Sequence, residues 1–289
     1  MCRKGSAATT PIQARFSRIT VTAAPPAPTS PATAAISSPE NPSVGESVPR
    51  KKAGTYLRES NQHPMRSFLK QAVLRASRKA RAKRGELFRR LLPVLPEDKV
   101  LDLGGGDGSH IAAILPEYRN IWIADIDPRA LEKAAQRGFH TVLLPESGRL
   151  PFEDHEFDIV FCSSVIEHVT VSKSDIYAYQ HWREFKERSF QHQKAFADEI
   201  RRVGKRYFVQ TPYKYFVIES HTWLPSVILL LPRRALIRLL ESLNRFWIKP
   251  TKPDWNLLSM REMQELFPEA ELHIDWWFGL PKSLIACKR

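Results

Sequence analysis

The sequence predicts an α/β domain with a mainly parallel sheet. From residue 100 onward, apolar strand-like segments alternate with helix-like segments, a pattern typical of parallel sheets joined by crossover helices. A glycine-rich loop follows the first strand-like segment, and an aspartate ends the second. Because ligands of such sheets bind at the carboxyl ends of the strands, we expect the functional site there. The expected strands lie within residues 100–103, 120–124, 141–144, 158–162, 206–210, 272–276 and 283–287.

Capping residues mark two of the expected helices. Asp127 precedes Pro128, and an acidic N-cap followed by proline is a typical helix start. Ser259 and Glu262 have the spacing of a capping box. The helices are expected within residues 66–92, 110–115, 127–134, 196–203 and 259–267.

Composition places the chain among ordinary globular proteins. Of its 289 residues, 43% are hydrophobic, and no apolar run is long enough to cross a bilayer. The three cysteines, Cys2, Cys162 and Cys287, are too scattered for a disulfide framework or a zinc site. We therefore expect a reducing, cytoplasmic compartment.

The net charge of +13 is confined to the first part of the chain. Residues 1–99 contain 19 Lys and Arg against 6 Asp and Glu, whereas the remainder contains 25 of each. Residues 100–289 therefore carry no net formal charge, which disfavours nucleic acid as a partner. Within the basic part, segment 75–84 is interpreted as a solvated helix face, or as a peripheral contact with an anionic membrane or an acidic partner, with RNA as the least favoured alternative.

Residues 1–60 are rich in Ala, Pro, Ser and Thr and have no apolar periodicity. Such a segment cannot bury enough apolar surface to offset its ordering entropy, so we expect a disordered leader. A flexible tail is the main interpretation, and an organelle-targeting peptide is the alternative. The folded domain is expected over residues 66–289.

The glycine loop after the first strand predicts a nucleotide-type site. Gly104, Gly106 and Gly108 can adopt positive φ and let a ligand lie on the main chain. A dinucleotide fingerprint requires G-x-G-x-x-G, but Ser109 stands at the third glycine, which disfavours a nicotinamide dehydrogenase. Asp125, at the end of the second strand, is placed to hold ribose hydroxyls.

These motifs together resemble class I S-adenosylmethionine-dependent methyltransferases. The resemblance rests on Asp102-x-Gly104-x-Gly106-x-Gly108, on the Leu150-Pro151-Phe152 turn, and on Glu167-His168-Val169. The last segment is similar to that of methyltransferase type 11 proteins of ubiquinone and menaquinone biosynthesis. The resemblance implies a Rossmann-like seven-stranded sheet of order 3-2-1-4-5-7-6, with strand 7 antiparallel and helices on both faces. It also implies S-adenosylmethionine as the cofactor.

The resemblance assigns roles to residues around the loop. Asp102 would lie near the methionine amino group, Asp125 would hold the ribose, and Glu146 would meet the adenine. The complete expected cofactor set is Asp102, Gly104, Gly105, Gly106, Gly108, Asp125, Ile126, Glu146 and Ser163.

Methyl transfer from a sulfonium is an in-line displacement that needs alignment of the acceptor. It requires no metal and no covalent nucleophile, so we expect no metal site. For a hydroxyl acceptor a general base would help, and His168 is the first candidate because it follows the fourth strand. His221 and Glu219 are the second candidates, and Tyr213 is a further one. A histidine here could equally be a packing or capping residue.

We therefore expect a methyltransferase acting at oxygen on a small or lipid-like acceptor. Segments 170–195 and 213–255 are expected to be insertions that cover the acceptor. Residues 227–231 are interpreted as part of a core or lid helix, or as an interfacial anchor with Arg233 and Arg234 at lipid headgroups. The alternatives are a non-catalytic scaffold of the same fold, and an RNA or protein methyltransferase.

Overall fold

The computed structural model describes residue 79 and residues 81–145, 148–245 and 249–289. All of them belong to the compact unit Asn61–Arg289. The expectations for the leader, for most of the helix predicted within residues 66–92, and for Glu146 lie outside the described residues.

A seven-stranded sheet forms the centre of the domain, with strand order β3-β2-β1-β4-β5-β7-β6. Strands β1 to β5 pair in parallel, and β7 runs antiparallel between β5 and β6. The predicted order and the antiparallel seventh strand are therefore confirmed. The strands are β1 (Val100–Leu103), β2 (Ile121–Asp125), β3 (His140–Leu143), β4 (Phe157–Ser163), β5 (Gly204–Pro212), β6 (Glu271–Trp277) and β7 (Leu280–Lys288).

Six α-helices and two short 3₁₀ turns are present in the described ranges. The helices are α1 (81–91), α2 (Ser109–Ile114), α3 (Pro128–Gln136), α4 (Trp182–Val203), α5 (Arg233–Leu243) and α6 (Met260–Leu266), and the 3₁₀ turns span Ile166–His168 and Ser226–Leu230. Both predicted caps are confirmed. The Asp127 carboxylate accepts from the Arg129 amide, and Ser259 and Glu262 form a reciprocal capping box.

Apolar side chains cover both faces of the sheet, and β4 shows how. Val160 and Cys162 pack on the face covered by α4 and α6, whereas Ile159 and Phe161 pack on the face covered by α1, α2 and α3. All four side chains are almost fully buried. A strand buried on both sides reads as a continuous apolar run, as expected for the centre of a parallel sheet.

The structure corrects two expectations about the insertions. Helix α4 begins at Trp182 rather than at Phe196, so the helical part of segment 170–195, which was expected to be partly helical, belongs to α4. The apolar segment 227–231 does not continue into α5, because Pro232 separates the 3₁₀ turn from that helix.

Arg233 does not reach lipid headgroups, since it is 1% exposed. Its guanidinium donates to the carbonyl oxygens of Ile176, Tyr179 and Pro253. The interfacial role expected for this residue is therefore wrong. Among the described residues, no helix has both the length and the apolar character needed to cross a membrane.

Candidate functional site

The glycine loop leaves β1 in a conformation that requires glycine. Gly104, Gly106 and Gly108 have φ of 75°, 57° and 70°. A Cβ at Gly104 would lie 2.5 Å from Val165, and one at Gly108 would lie 2.7 Å from the Phe139 ring. A Cβ at Gly106 would meet only Asp125 Oδ2, at 4.0 Å. The loop is thus packed at its two ends and open above its middle, where a ligand can lie on the main chain.

Asp102 lies beneath this loop and is 3% exposed. A Cβ at Gly105 would come within 2.4 Å of Asp102 Oδ2, so the missing side chain makes room for the carboxylate. Oδ2 has no hydrogen-bond partner among the described residues. Burial, with a smaller contribution from the nearby Asp125 charge, raises the pKa of Asp102 to about 8.

Asp125 meets the same loop from the end of β2. Its Oδ2 accepts from the Gly106 amide at 2.8 Å, and its Oδ1 accepts from the Asp127 amide at 2.9 Å. Each carboxylate oxygen retains a second lone pair for a ligand hydroxyl. The next residue, Ile126, is 41% exposed, so an apolar side chain is available beside the carboxylate.

Ser163, at the carboxyl end of β4, is engaged within the protein. Its hydroxyl donates to Gln210 Oε1 at 2.7 Å, and the Ser164 hydroxyl donates to the same oxygen at 3.2 Å. The side-chain oxygen of Gln210 is thus occupied. Its buried amide nitrogen has no hydrogen-bond partner in the described part of the chain.

A cavity of about 860 Å³ opens at the carboxyl ends of β4 and β5. Ser164 lines this cavity, and the next residue, Val165, packs against Gly104. The glycine loop and the cavity therefore contact the same segment of chain. Aromatic residues form much of its wall, namely Phe216, Trp223, Trp276, Trp277 and Phe278. Basic residues form another part, namely Lys79, Lys83, Arg84, Lys249 and Lys282.

Two histidines and a glutamate meet at one side of this cavity. Glu167, His168 and His221 each present one donor atom, and these three atoms lie within 4.8 Å of one another. Glu167 is fully buried, and its Oε2 accepts from the Thr211 hydroxyl at 2.9 Å. The two imidazole rings are perpendicular, with centroids 4.7 Å apart.

A second carboxylate stands behind each imidazole. Glu219 Oε1 lies 2.6 Å from His221 Nδ1 and also accepts from the His221 amide. Asp254 Oδ1 lies 3.4 Å from His168 Nδ1. Glu219, expected as a candidate base, is therefore placed as the partner of His221.

The contacts shift the pKa values of His168, Glu219 and Asp254 toward their charged forms. For His168, burial acts to lower the pKa, but the hydrogen bond to Asp254 and the charge of Glu167 outweigh it and raise the pKa. For Glu219, burial acts to raise the pKa, but the contacts with His221 outweigh it and lower the pKa. Contact with His168 likewise outweighs burial and lowers the pKa of Asp254.

A buried amide network holds the cluster in place. The Gln193 side chain on α4 donates to the carbonyl oxygens of Ile166 and Asn256, and the Asn256 side chain donates back to Gln193. The Asn256 amide donates to the Glu167 carbonyl. The 3₁₀ turn that carries Glu167 and His168 is thereby fixed to α4 and to the segment before α6.

The sequence analysis included His168, His221 and Glu219 but missed their neighbours. Glu167 had a usable signal, because it precedes His168 at the end of a parallel strand. Asp254 had none, since it lies in a loop that only the folded chain brings to His168. Tyr213, a further candidate base, follows β5, and its ring contacts that of Tyr215.

Residues 101–206 match the family model described as a methyltransferase domain. The chain contains a methyltransferase domain. The predicted resemblance to class I S-adenosylmethionine-dependent methyltransferases is confirmed. The wider boundaries expected for the methyltransferase domain, 66–289, stay a prediction.

Several solved structures are similar to this chain, and no curated protein matches it. The PH0226 protein of Pyrococcus horikoshii is 15% identical, with 74% of this chain and 91% of that chain covered and a TM-score of 0.45. Magnesium protoporphyrin IX methyltransferase of Synechocystis, with bound SAH, is 12% identical, with 77% and 88% covered and a TM-score of 0.45. The YcgJ protein of a Bacillus species is 19% identical, with 67% and 70% covered and a TM-score of 0.41.

The methyl donor of this family is S-adenosylmethionine, so the predicted cofactor is confirmed. The residues present fit it. The unpartnered oxygen of Asp102 can accept from an ammonium group, and the open side of Gly106 leaves room for a nucleoside beside Asp125.

Proposed function

We propose that this methyltransferase transfers a methyl group to an oxygen of a small or lipid-like acceptor held in the 860 Å³ cavity. The observation that carries the proposal is the shared segment Ser163–His168. Within it, Val165 packs against Gly104 of the glycine loop. Glu167 and His168, which follow shortly after Val165, line the cavity with His221. Donor and acceptor sites therefore meet along one short stretch of chain.

The protein's task in such a reaction is chiefly alignment. When bound, S-adenosylmethionine supplies an activated methyl group on its sulfonium. The walls of the cavity hold the acceptor in line and exclude water, and alignment of this kind can supply about 7–11 kcal/mol. Glu167, His168 and His221 are the polar groups against which the acceptor oxygen would lie. The raised pKa of His168 reduces its neutral fraction near neutral pH, which weighs against His168 as a simple general base.

The charges of the cavity support an acceptor that carries an anionic group. Lys83 is paired with Asp275 at 2.7 Å, but Lys79, Arg84, Lys249 and Lys282 add further positive charge to the same wall. Arg84 Nε is buried without a hydrogen-bond partner in the described ranges. A carboxylate or phosphate on the acceptor would satisfy these groups.

The mouth of the cavity supports a lipid-like acceptor. Ile218, Trp276, Trp277 and Phe278 line it and are 40%, 51%, 41% and 89% exposed. Aromatic side chains beside basic ones suit contact with an anionic lipid surface. The expected peripheral contact through segment 75–84 belongs to this proposal, because its described residues Lys79, Lys83 and Arg84 line the same cavity.

A cytoplasmic location is part of the same proposal. Cys162 and Cys287 are free and buried, which supports a reducing compartment.

Donor-labelled extracts test the proposal. Full-length protein with methyl-labelled S-adenosylmethionine should transfer label to an acidic, organic-soluble compound. The linkage should be an ether, which base does not cleave, or an ester, which base hydrolyses. The variant Ile218→Trp, which narrows the cavity, should lose transfer while binding S-adenosylmethionine as the wild type does.

The matched control is Leu95→Trp, an equally exposed apolar position before β1 and hence at the opposite end of the sheet. It should transfer label normally. Absence of S-adenosylmethionine binding at millimolar concentration would instead support a non-catalytic scaffold, and label on RNA or protein would contradict the acceptor class.

A further inference from the structure

The cluster of Glu167, His168 and His221 has the composition of a metal-binding site. Two imidazoles and one carboxylate are a common ligand set for divalent transition metals. The distance between His221 Nε2 and Glu167 Oε1 is 4.0 Å, and all three donor atoms lie within 4.8 Å. With metal–ligand bonds of about 2.0–2.2 Å, the donor atoms around one tetrahedral ion lie about 3.3–3.6 Å apart, so side-chain rotations that bring the three donor atoms about 1 Å closer would complete the site.

The hydrogen bonds leave the correct atoms free. Because Glu219 faces Nδ1 of His221, that nitrogen carries the proton and Nε2 keeps its lone pair. Asp254 Oδ1 lies farther away, 3.4 Å from Nδ1 of His168, and favours a proton on that nitrogen. Carboxylates behind metal-binding histidines fix the ring tautomer and orientation, and here both rings have one.

Glu167 supplies an independent observation. Its side chain is fully buried, and Oε1 has no hydrogen-bond partner among the described residues, whereas Oε2 is held by Thr211. A buried carboxylate oxygen without a partner is costly, since burial removes its water. A cation between this oxygen and the two imidazoles would remove that cost.

We propose that Glu167, His168 and His221 bind one divalent transition metal ion at the wall of the acceptor cavity. The ion would have three protein ligands, and its open positions would face the cavity, as in catalytic rather than structural metal sites. No metal was expected from the sequence, because methyl transfer from a sulfonium requires none. The three ligands come from two distant segments that only the fold brings together.

The role of the ion rests on the proposed methyl transfer. The ion would bind the acceptor hydroxyl and lower its pKa, so that its proton leaves to solvent. The acceptor oxygen then bonds to the methyl carbon while the carbon–sulfur bond breaks, and its electron pair stays on sulfur. The products are the methylated acceptor and S-adenosylhomocysteine, and the ion keeps its oxidation state.

Metal binding is measured without any methyl transfer. Untagged full-length protein is stripped with EDTA, dialysed against ZnCl₂ and analysed for zinc, and Co²⁺ is titrated separately with its visible bands as the signal. We expect one ion per chain for the wild type. Glu167→Gln and His168→Ala should each weaken binding at least tenfold, whereas His192→Ala, an exposed histidine on α4, should bind as the wild type does.

The outcomes separate this proposal from the proposed function. His168 has a partly exposed side chain, so His168→Ala should fold, and an unchanged melting temperature without metal verifies this. Added zinc should raise the melting temperature of the wild type and of His192→Ala only. No bound metal, or equal binding by all variants, overturns the metal site. S-adenosylmethionine titrations on the same samples decide the donor site independently.

Discussion

Gly104 packs against Val165, between the expected donor site and the acceptor cavity. Its substitution tests the donor affinity and the stability of the protein. Gly104→Ala would force φ of 75° on alanine and place a Cβ 2.5 Å from Val165. We expect a loss of about 2–4 kcal/mol in the free energy of unfolding, from strain and overpacking together, and at least tenfold weaker S-adenosylmethionine binding. Calorimetric titration and thermal melts measure the two effects.

Gly138→Ala is the matched control, since φ is 89° there but no atom lies within 4 Å of the added Cβ. The strain alone should lower its free energy of unfolding by about 1–2 kcal/mol, and its donor affinity should be unchanged. Equal donor affinity in both variants would show that the loop does not contact the donor.

Asp102 should release a proton when the donor binds. With its pKa raised to about 8, the ligand-free carboxyl is mostly protonated at pH 7. A cationic ammonium nearby lowers that pKa again. Titrations at pH 7 in buffers of different ionisation enthalpy should show close to one proton released per ligand, and Asp102→Asn should show none. Release of the same proton by the variant would assign it elsewhere.

The same carboxyl gives a stability signature in the ligand-free protein. Its folded pKa of about 8 exceeds the ordinary value of 3.8, so the native state holds a proton that the unfolded state has lost. Stability should therefore fall by up to several kcal/mol as pH rises from 4 to 8. Denaturant melts of Asp102→Asn should lack this part of the fall, and parallel curves would contradict the assignment.

At the scale of elements, the hairpin of β6 and β7 ends in a strained turn. Phe278 and Gly279 connect the strands with φ of 47° and 76°, and a two-residue turn with both φ positive favours Asn-Gly. Phe278→Asn should raise the free energy of unfolding by about 0.5–1 kcal/mol. It should also weaken co-sedimentation with vesicles containing anionic lipid several-fold, because the most exposed aromatic ring at the cavity mouth is lost.

Leu95→Asn is the control for Phe278→Asn, since Leu95 is also exposed but lies away from the cavity. It should gain no stability and keep vesicle binding. A less stable Phe278→Asn protein would mean that the ring packs on the domain rather than faces a partner.

Arg233 joins the segment before α4 to the segment before α6. It is buried beneath the Phe185 ring and donates to three carbonyl oxygens. Arg233→Lys keeps the charge but loses the planar fork, so we expect a loss of about 2–4 kcal/mol in denaturant melts. Arg234→Lys, an exposed neighbour that contacts His181, should change stability by less than about 0.5 kcal/mol.

Elements with strong local signals were predictable, and elements defined by distant contacts were not. The strands and the caps at Asp127 and Ser259 were found because apolar runs and capping pairs are local patterns. The start of α4 was predicted at Phe196 instead of Trp182, since the stretch before residue 196 is polar and only a few of its residues, such as Phe185 and Gln193, are buried. Arg233 was misread because its carbonyl partners are more than ten residues away.

For the whole molecule, the charge division predicts that the leader is separable from donor binding. The excess positive charge lies within residues 1–99, and every described residue belongs to the compact unit Asn61–Arg289. Deleting them should leave the melting temperature and the S-adenosylmethionine affinity unchanged. A lower melting temperature of the shortened protein would show that the leader packs on the domain.

The placement of Asp102, the glycine loop and Asp125 at one edge of the sheet was predictable, whereas the set of residues that line the cavity was not. Asp102, the glycines and Asp125 lie on consecutive strands, and the chain brings them together by the simplest crossover. The acceptor wall needs Lys83 from α1, His221 from the segment after β5, and Trp277 from the last hairpin, and no local pattern joins these.

This separation has a consequence for how the protein could be re-engineered. The residues expected to hold the donor end at Ser163, and most residues that line the proposed acceptor cavity follow Pro212. Grafting the later segment from a homologue should therefore exchange one methylated product for another while donor recognition is inherited unchanged.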